Sequence, residues 1–127
     1  MKNETIKILN IALDMADSDL VNDYIFEEIM EILIKLDDDL DTSPDIHLEL
    51  SAGDVRIIDK NAIDEIWTES LIEQIQDCYD LDNVPSFIEI DWQETAENCK
   101  VDGLGHHFAS YDGHEEDTEN FYIFRTN

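Results

Sequence analysis

The chain has 127 residues, of which 33 are Asp or Glu and only 7 are Lys or Arg, for a formal net charge of −26. That length suits one domain, and 43% hydrophobic residues with 9% aromatics supply a core that disordered acidic chains lack. A chain this acidic is repelled by phosphate backbones and anionic lipid, which argues against direct binding to nucleic acid or a membrane surface and points to cations or basic proteins as partners.

No run of about 18 apolar residues is present, so no membrane-spanning segment is expected. The opening MKNETIKILN does not read as a signal peptide, because Glu4 and Asn10 interrupt it and no small-residue cleavage site follows. The expected location is the cytoplasm. Cys78 and Cys99 match no ligand or redox spacing and read as buried thiols in a reducing compartment.

Residues 4–16 predict a short helix with Ile6, Leu9, Leu13 and Ala16 on one stripe. Asp17, Ser18 and Asp19 offer a stop and a fresh N-cap. Residues 19–37 carry the strongest helical pattern, with Val21, Ile25, Ile29, Ile32 and Leu36 at three- and four-residue spacing. The run Asp37 to Asp45 reads as a loop, since Pro44 and the density of Asp oppose a helix. Ile46, Leu48 and Leu50 alternate with His47 and Glu49 as in a half-buried strand over 46–50. A turn at Ser51–Asp54 and a return strand over 54–59 follow.

Residues 62–79 predict a helix with Trp67, Leu71, Ile75 and Cys78 on one side. Phe87 to Ile90 reads as a strand. Asp91, with Glu94 three residues on, caps a helix over 92–99 that Gly103 and Gly105 end. Residues 106–111 and 120–125 read as two strands around an acidic loop, Asp112 to Glu119. The expected core includes Ile25, Ile29, Ile32, Trp67, Leu71, Ile75, Phe87, Ile90, Trp92, Phe108 and Phe124. The expected architecture is α+β: a single small domain over 1–127, with helices on a short, mostly antiparallel sheet and a strongly acidic surface.

The acidic residues do not form a tail. Residues 1–50 hold 14 of them and residues 51–127 hold 19, interleaved with apolar positions, so the charge belongs to the folded surface. Salt adaptation fits poorly with 17 Ile and 4 Gly, and drift toward AT-rich codons should enrich Lys, of which there are 5. Two rows are the most informative feature. Asp19, Asp23, Glu27 and Glu31 fall at successive i,i+4 positions of the second predicted helix, and Glu65, Glu69, Glu73 and Asp77 do the same on the central one. Like charges at that spacing cost about 0.2–0.5 kcal/mol per pair, and only Lys35, four residues after Glu31, compensates. Each row spaces its charges by about 6 Å along the axis, similar in scale to successive phosphates on a DNA strand. Solvated helix faces are the plain alternative.

His106, His107, Asp112 and His114 lie close together in sequence, and imidazole with carboxylate suits zinc. On a strand, however, His106 and His107 point to opposite faces, so polar histidines on a hairpin are the preferred reading and no metal is expected. Asp37, Asp39, Asp41, Ser43 and Asp45 follow the odd-numbered ligands of a calcium loop. Thr42 stands where the loop needs Gly, and Leu48 where it needs Glu, so an EF-hand is rejected. No GxSxG, phosphate-cradling Gly loop or HExxH occurs, so neither an enzyme nor a cofactor is expected.

The stretch FIEIDWQETAENCKVDG, followed by a hairpin ending FYIFR, resembles the C-terminal part of ArdA-type antirestriction proteins. The matching residues are Ile90, Asp91, Trp92 and Ala96, then Tyr122, Phe124 and Arg125. The layout of the helix through Ile72 to Cys78 and of the 81–85 loop is also similar, so the resemblance covers about residues 63–127. Residues 1–60 match nothing in that pattern, and the chain is shorter than the family's three-part proteins. The resemblance implies an acidic protein of phage or mobile-element origin that occupies the DNA-binding groove of a host defence enzyme.

Two functions share these electrostatics. The leading expectation is a non-enzymatic DNA-mimic inhibitor of a restriction–modification complex, a CRISPR-type nuclease or another basic DNA-binding protein. The two carboxylate rows would then replace phosphates. The alternative is an immunity protein that neutralises one basic nuclease toxin. A homodimer stays open in either case.

Overall fold

The computed structural model describes residues 1–78, 85, 87–102 and 108–127. The α+β class expected from the sequence is the one observed. Within it the chain forms two compact units, Met1–Asn61 with His107–Asn127, and Ala62–His106.

The first unit is built on a four-stranded antiparallel sheet of order β1-β2-β4-β3: β1 Asp45–Glu49, β2 Asp54–Asp59, β3 Glu115–Asp117 and β4 Phe121–Arg125. Alternation decides its faces. Ile46 and Leu48 on β1, Val55 and Ile57 on β2, and Phe121 and Ile123 on β4 belong to one core with helix α1 (Asn3–Met15) and helix α3 (Phe26–Thr42). On α1, Thr5, Ile8, Leu9, Ala12, Leu13 and Met15 are buried, at mostly three- and four-residue spacing. Leu9, Leu13 and Ala16 of the expected stripe are therefore buried, with Thr5, Ile8 and Ala12 widening the face, and Ile6 is exposed. On the opposite face of the sheet, Phe108 packs on Phe124 at 5.4 Å between ring centres. The Arg56 guanidinium lies over Phe108 and forks onto the Asp45 carboxylate at 2.8 and 2.6 Å.

Arg125 closes this unit. It is nearly buried, and its Nη1 donates to the Met15 carbonyl at 2.9 Å and to Asp17 Oδ2 at 3.0 Å, so it satisfies an orphan carbonyl at the end of α1. Gly53 sits in the β1–β2 turn, where a Cβ would come within 2.6 Å of the Asn127 carbonyl oxygen. Only glycine leaves room for the chain end there.

The predicted 19–37 helix is broken. A single turn, α2 (Leu20–Asp23), is followed by extended backbone at Tyr24 and Ile25 before α3 starts. Each helical piece has its own side-chain cap. The Asp19 carboxylate accepts from the Val21 and Asn22 N–H groups, and the Asp23 carboxylate accepts from the Asp19 N–H. Glu28 then accepts from the Ile25 N–H and starts α3. At its other end α3 runs through the expected loop to Thr42. There Leu36 is buried and Leu40 packs on the core, and the Asp37 carboxylate accepts from the Thr5 hydroxyl at 2.6 Å and the Lys2 N–H at 3.1 Å. Tertiary contacts overrode the poor helix propensity of the Asp run.

The second unit pairs α4 (Ile63–Cys78) with α5 (Trp92–Val101). Thr68 and Leu71 on α4 and Ala96 on α5 are buried. The Asp91 carboxylate caps α5 by accepting from the Glu94 N–H at 3.1 Å. Lys100 reaches back to Asp64, bonding its carboxylate at 2.8 Å and its carbonyl at 3.1 Å, while its ammonium lies over the Trp67 ring.

Other expectations need correction. Residues 87–90 form no strand, and Phe87 and Ile88 are exposed, because no neighbouring strand among the described residues receives them. Residues 108–111 are likewise not a strand; β4 pairs instead with β3, inside the stretch expected to be an acidic loop. Residues 81–84, Gly103, Gly105, His106 and His107 lie outside the described residues. Of the expected core, Leu71, Phe108 and Phe124 are buried, and Ile29, Ile32, Trp67, Ile75, Ile90 and Trp92 are half-buried. Ile25, at 62% exposure, and Phe87, at 84%, stand in solvent. Cys78 is exposed and Cys99 half-buried, so neither is the buried thiol expected.

Candidate functional site

Helix α4 carries Glu65, Glu69, Glu73 and Asp77 without interruption, and all four are exposed. The spacing of four residues at about 1.5 Å rise puts successive carboxylates about 6 Å apart along the axis. None of the four takes part in an ion pair among the described residues. The reason is compositional. Residues 62–106 contain 12 Asp or Glu and a single Lys or Arg, Lys100, and its ammonium is held by Asp64 and Glu97. The apolar side of α4 is buried through Leu71, which leaves the acidic side facing outward.

The other expected row does not survive as a row. The break after Asp23 takes Asp19 and Asp23 off the axis that Glu27 and Glu31 share on α3. Both Asp side chains are also in use. Asp19 caps α2, and Asp23 accepts from the Asp19 N–H and from the Ser51 hydroxyl, each at 2.8 Å. Those two bonds, the backbone one first, hold the Asp23 carboxyl below the usual carboxylate range. Glu27 and Glu31 remain exposed one turn apart on α3. The structure thus keeps one complete row and half of the other.

The acidic run at 37–45 serves a different purpose. Asp37 and Asp41 face Lys2, whose ammonium lies 2.7 Å from Asp41 Oδ2 and 3.7 Å from Asp37 Oδ1. The Thr5 hydroxyl and then the Lys2 N–H hold the Asp37 carboxyl below its ordinary value, and the bond to Asp41 raises the Lys2 ammonium. These groups clamp the start of α1 onto α3. Among the described residues, no three His, Cys, Asp or Glu side chains gather as a metal site. His114 Nε2 lies 3.1 Å from Glu116 Oε1, and the His114 N–H donates to Asp112, so both acidic partners are bonded locally.

One feature escaped the sequence reading. A groove of about 450 Å³ runs between α3 and β1, with Ile32, Leu36, Ile46 and Leu48 in its floor and Glu31, Asp39 and Glu49 among its rim residues. The alternation of 46–50 announces the strand but cannot say that β1 is an edge strand beside α3. Chemically, exposed carboxylates on a rigid helix accept charge-assisted hydrogen bonds from guanidinium and ammonium groups, as phosphate oxygens do. Among the described residues no helix is long and apolar enough to cross a membrane. No family model matches the chain, and no curated protein or solved structure is significantly similar to it.

Proposed function

We propose that the protein is a non-enzymatic DNA-mimic inhibitor, of phage or mobile-element origin, that occupies the DNA-binding groove of a basic host defence enzyme such as a restriction–modification or CRISPR-type nuclease. The observation that carries this reading is the uninterrupted, exposed and uncompensated row Glu65, Glu69, Glu73 and Asp77 on α4. Like-charge rows weaken a helix, so a surface serving stability alone would intersperse Lys. Glu27 and Glu31 on α3 add a shorter acidic step. The likeness of residues 63–127 to the ArdA C-terminal part points the same way, and Asp91 and Ala96 in that stretch have clear structural roles as the cap and the buried contact of α5.

In this reading, Lys and Arg lining the enzyme's groove bond the carboxylates in place of phosphates, and the net charge steers association. Removing the α4 charges tests it. The parent and a variant carrying Glu65→Gln, Glu69→Gln, Glu73→Gln and Asp77→Asn are each used to capture partners from host lysate. The captured protein should bind DNA, DNA should displace the inhibitor, and the variant should bind more weakly, with a smaller salt dependence. A partner that binds both forms equally at moderate salt, or that holds DNA and inhibitor together, refutes the proposal.

A further inference from the structure

The α3–β1 groove has properties that a phosphate-like surface does not need. Among the described residues strand β1 ends the sheet, with β2 on one side and no strand on the other. Its hydrogen-bonding phase follows from the pairs that flank it. The Leu50 N–H donates to the Gly53 carbonyl at 2.9 Å, and the Asp59 N–H donates to the Pro44 carbonyl at 2.9 Å. In the same antiparallel register, even-numbered residues of β1 therefore bond to β2. The pairing of β2 with β4 agrees: Asp54 and Lys60, both even-numbered, bond across to the β4 side. The N–H and C=O groups of His47 and Glu49 consequently point to the open edge. That edge borders a groove whose floor is apolar and whose rim carries Glu31, Asp39 and Glu49 against Lys35.

We infer that this groove binds an extended peptide segment that alternates basic and apolar residues, adding it to β1 as a fifth strand. Strand addition supplies backbone hydrogen bonds at the edge, and alternate side chains then choose the ligand. Those facing α3 would rest on Ile32, Leu36 and Leu48. Their neighbours would point to the other face of the sheet, beside Glu49, where Lys or Arg fits and an acidic residue is repelled. A second copy of the chain is a poor occupant. Its own β1 has already committed Ile46 and Leu48 to its core, and it brings a further net charge of −26. The inference stands apart from the α4 row, which lies in the other unit.

A synthetic heptapeptide, Lys-Val-Lys-Val-Lys-Val-Lys with blocked ends, is the probe, read by amide NMR and hydrogen exchange on the full chain. Two controls replace its Val with Ser, or N-methylate every amide. The probe should shift amides of α3 and β1 and slow exchange at His47 and Glu49. It should bind about tenfold more tightly than either control, equivalent to about 1.4 kcal/mol. His47→Pro should abolish that advantage, because it deletes an edge donor without touching the β1–β2 ladder. If that variant fails to fold, the N-methylated control decides. Equal binding of all three peptides, or shifts confined to α4, overturns the inference while leaving the mimic reading intact. Concentration-dependent protection of His47 and Glu49 without any peptide would assign the groove to a second copy and also overturn it.

Discussion

The α4 row makes a prediction that needs no knowledge of the target. Glu65, Glu69, Glu73 and Asp77 form three successive i,i+4 like-charge pairs on an exposed face. Replacing all four by Gln or Asn keeps their size and removes those repulsions, worth about 0.2–0.5 kcal/mol each, or about 0.6–1.5 kcal/mol together. Helix-dipole effects nearly cancel. Glu65 lies in the first turn, where negative charge is favourable, and Asp77 in the last, where it is unfavourable. The assay is urea unfolding followed by tryptophan fluorescence. Both tryptophans, Trp67 and Trp92, lie in the unit that contains α4, so the signal reports that unit. The variant should be more stable at low salt. In about 1 M NaCl the Debye length falls to about 3 Å, shorter than the spacing of the charges, so the gain should largely disappear. A variant no more stable than the parent at low salt, or a gain that salt leaves unchanged, would show that the row carries no electrostatic strain and would remove the physical basis for a functional reading.

Three further outcomes follow from the first unit. Leu36→Ala should cost about 2–5 kcal/mol by urea denaturation, because this leucine is only 1% exposed at the contact of α3 with the core. Arg125→Met should cost about 2–3 kcal/mol by the same measurement, since it strips the Met15 carbonyl and Asp17 of a charged donor; Arg125→Lys should recover little, as an ammonium cannot also make the Nε bond to the Asn127 carbonyl while lying flat over Tyr111. The Asp23 and Asp37 carboxyls are held below their ordinary value of 3.8 in the folded chain, so they bind protons less readily than in the unfolded chain. Their stabilisation is therefore complete above the unfolded value and is lost as pH falls through the folded one, below about pH 4. Asp37→Asn should flatten that acid limb in urea midpoints measured across it, and an unchanged limb would contradict the clamp.

Much of the fold was legible because it rests on local rules. The β1–β2 hairpin was readable from strict alternation around Ser51–Gly53, and the span of β2 agrees with the expected 54–59. Helices α1, α4 and α5 follow from apolar spacing, with the Asp91 cap visible as an N-cap signal. The acidic row on α4 was legible for the same reason, since i,i+4 neighbours stay neighbours on any unbroken helix.

What the sequence could not decide was where local rules compete. The apolar period ran unbroken through Tyr24 and Ile25, but there the backbone is extended and Glu28 on the Ile25 N–H starts α3 afresh, which dissolved half of the second row. At Asp37–Thr42 the Asp run argued for a loop, but Leu36 and Leu40 in the core and the clamp from Thr5 and Lys2 kept the helix going. Exposure of Ile25 and Phe87 depended on which neighbours reached them, and no periodicity encodes that. Strand order is the clearest case. Hydrophobic alternation shows that residues 46–50 pair with something, but only the arrangement β1-β2-β4-β3 leaves His47 and Glu49, among the described residues, with open backbone groups beside α3. Local patterns determine which side chains share a face, whereas an edge exists only once every strand has chosen its neighbours.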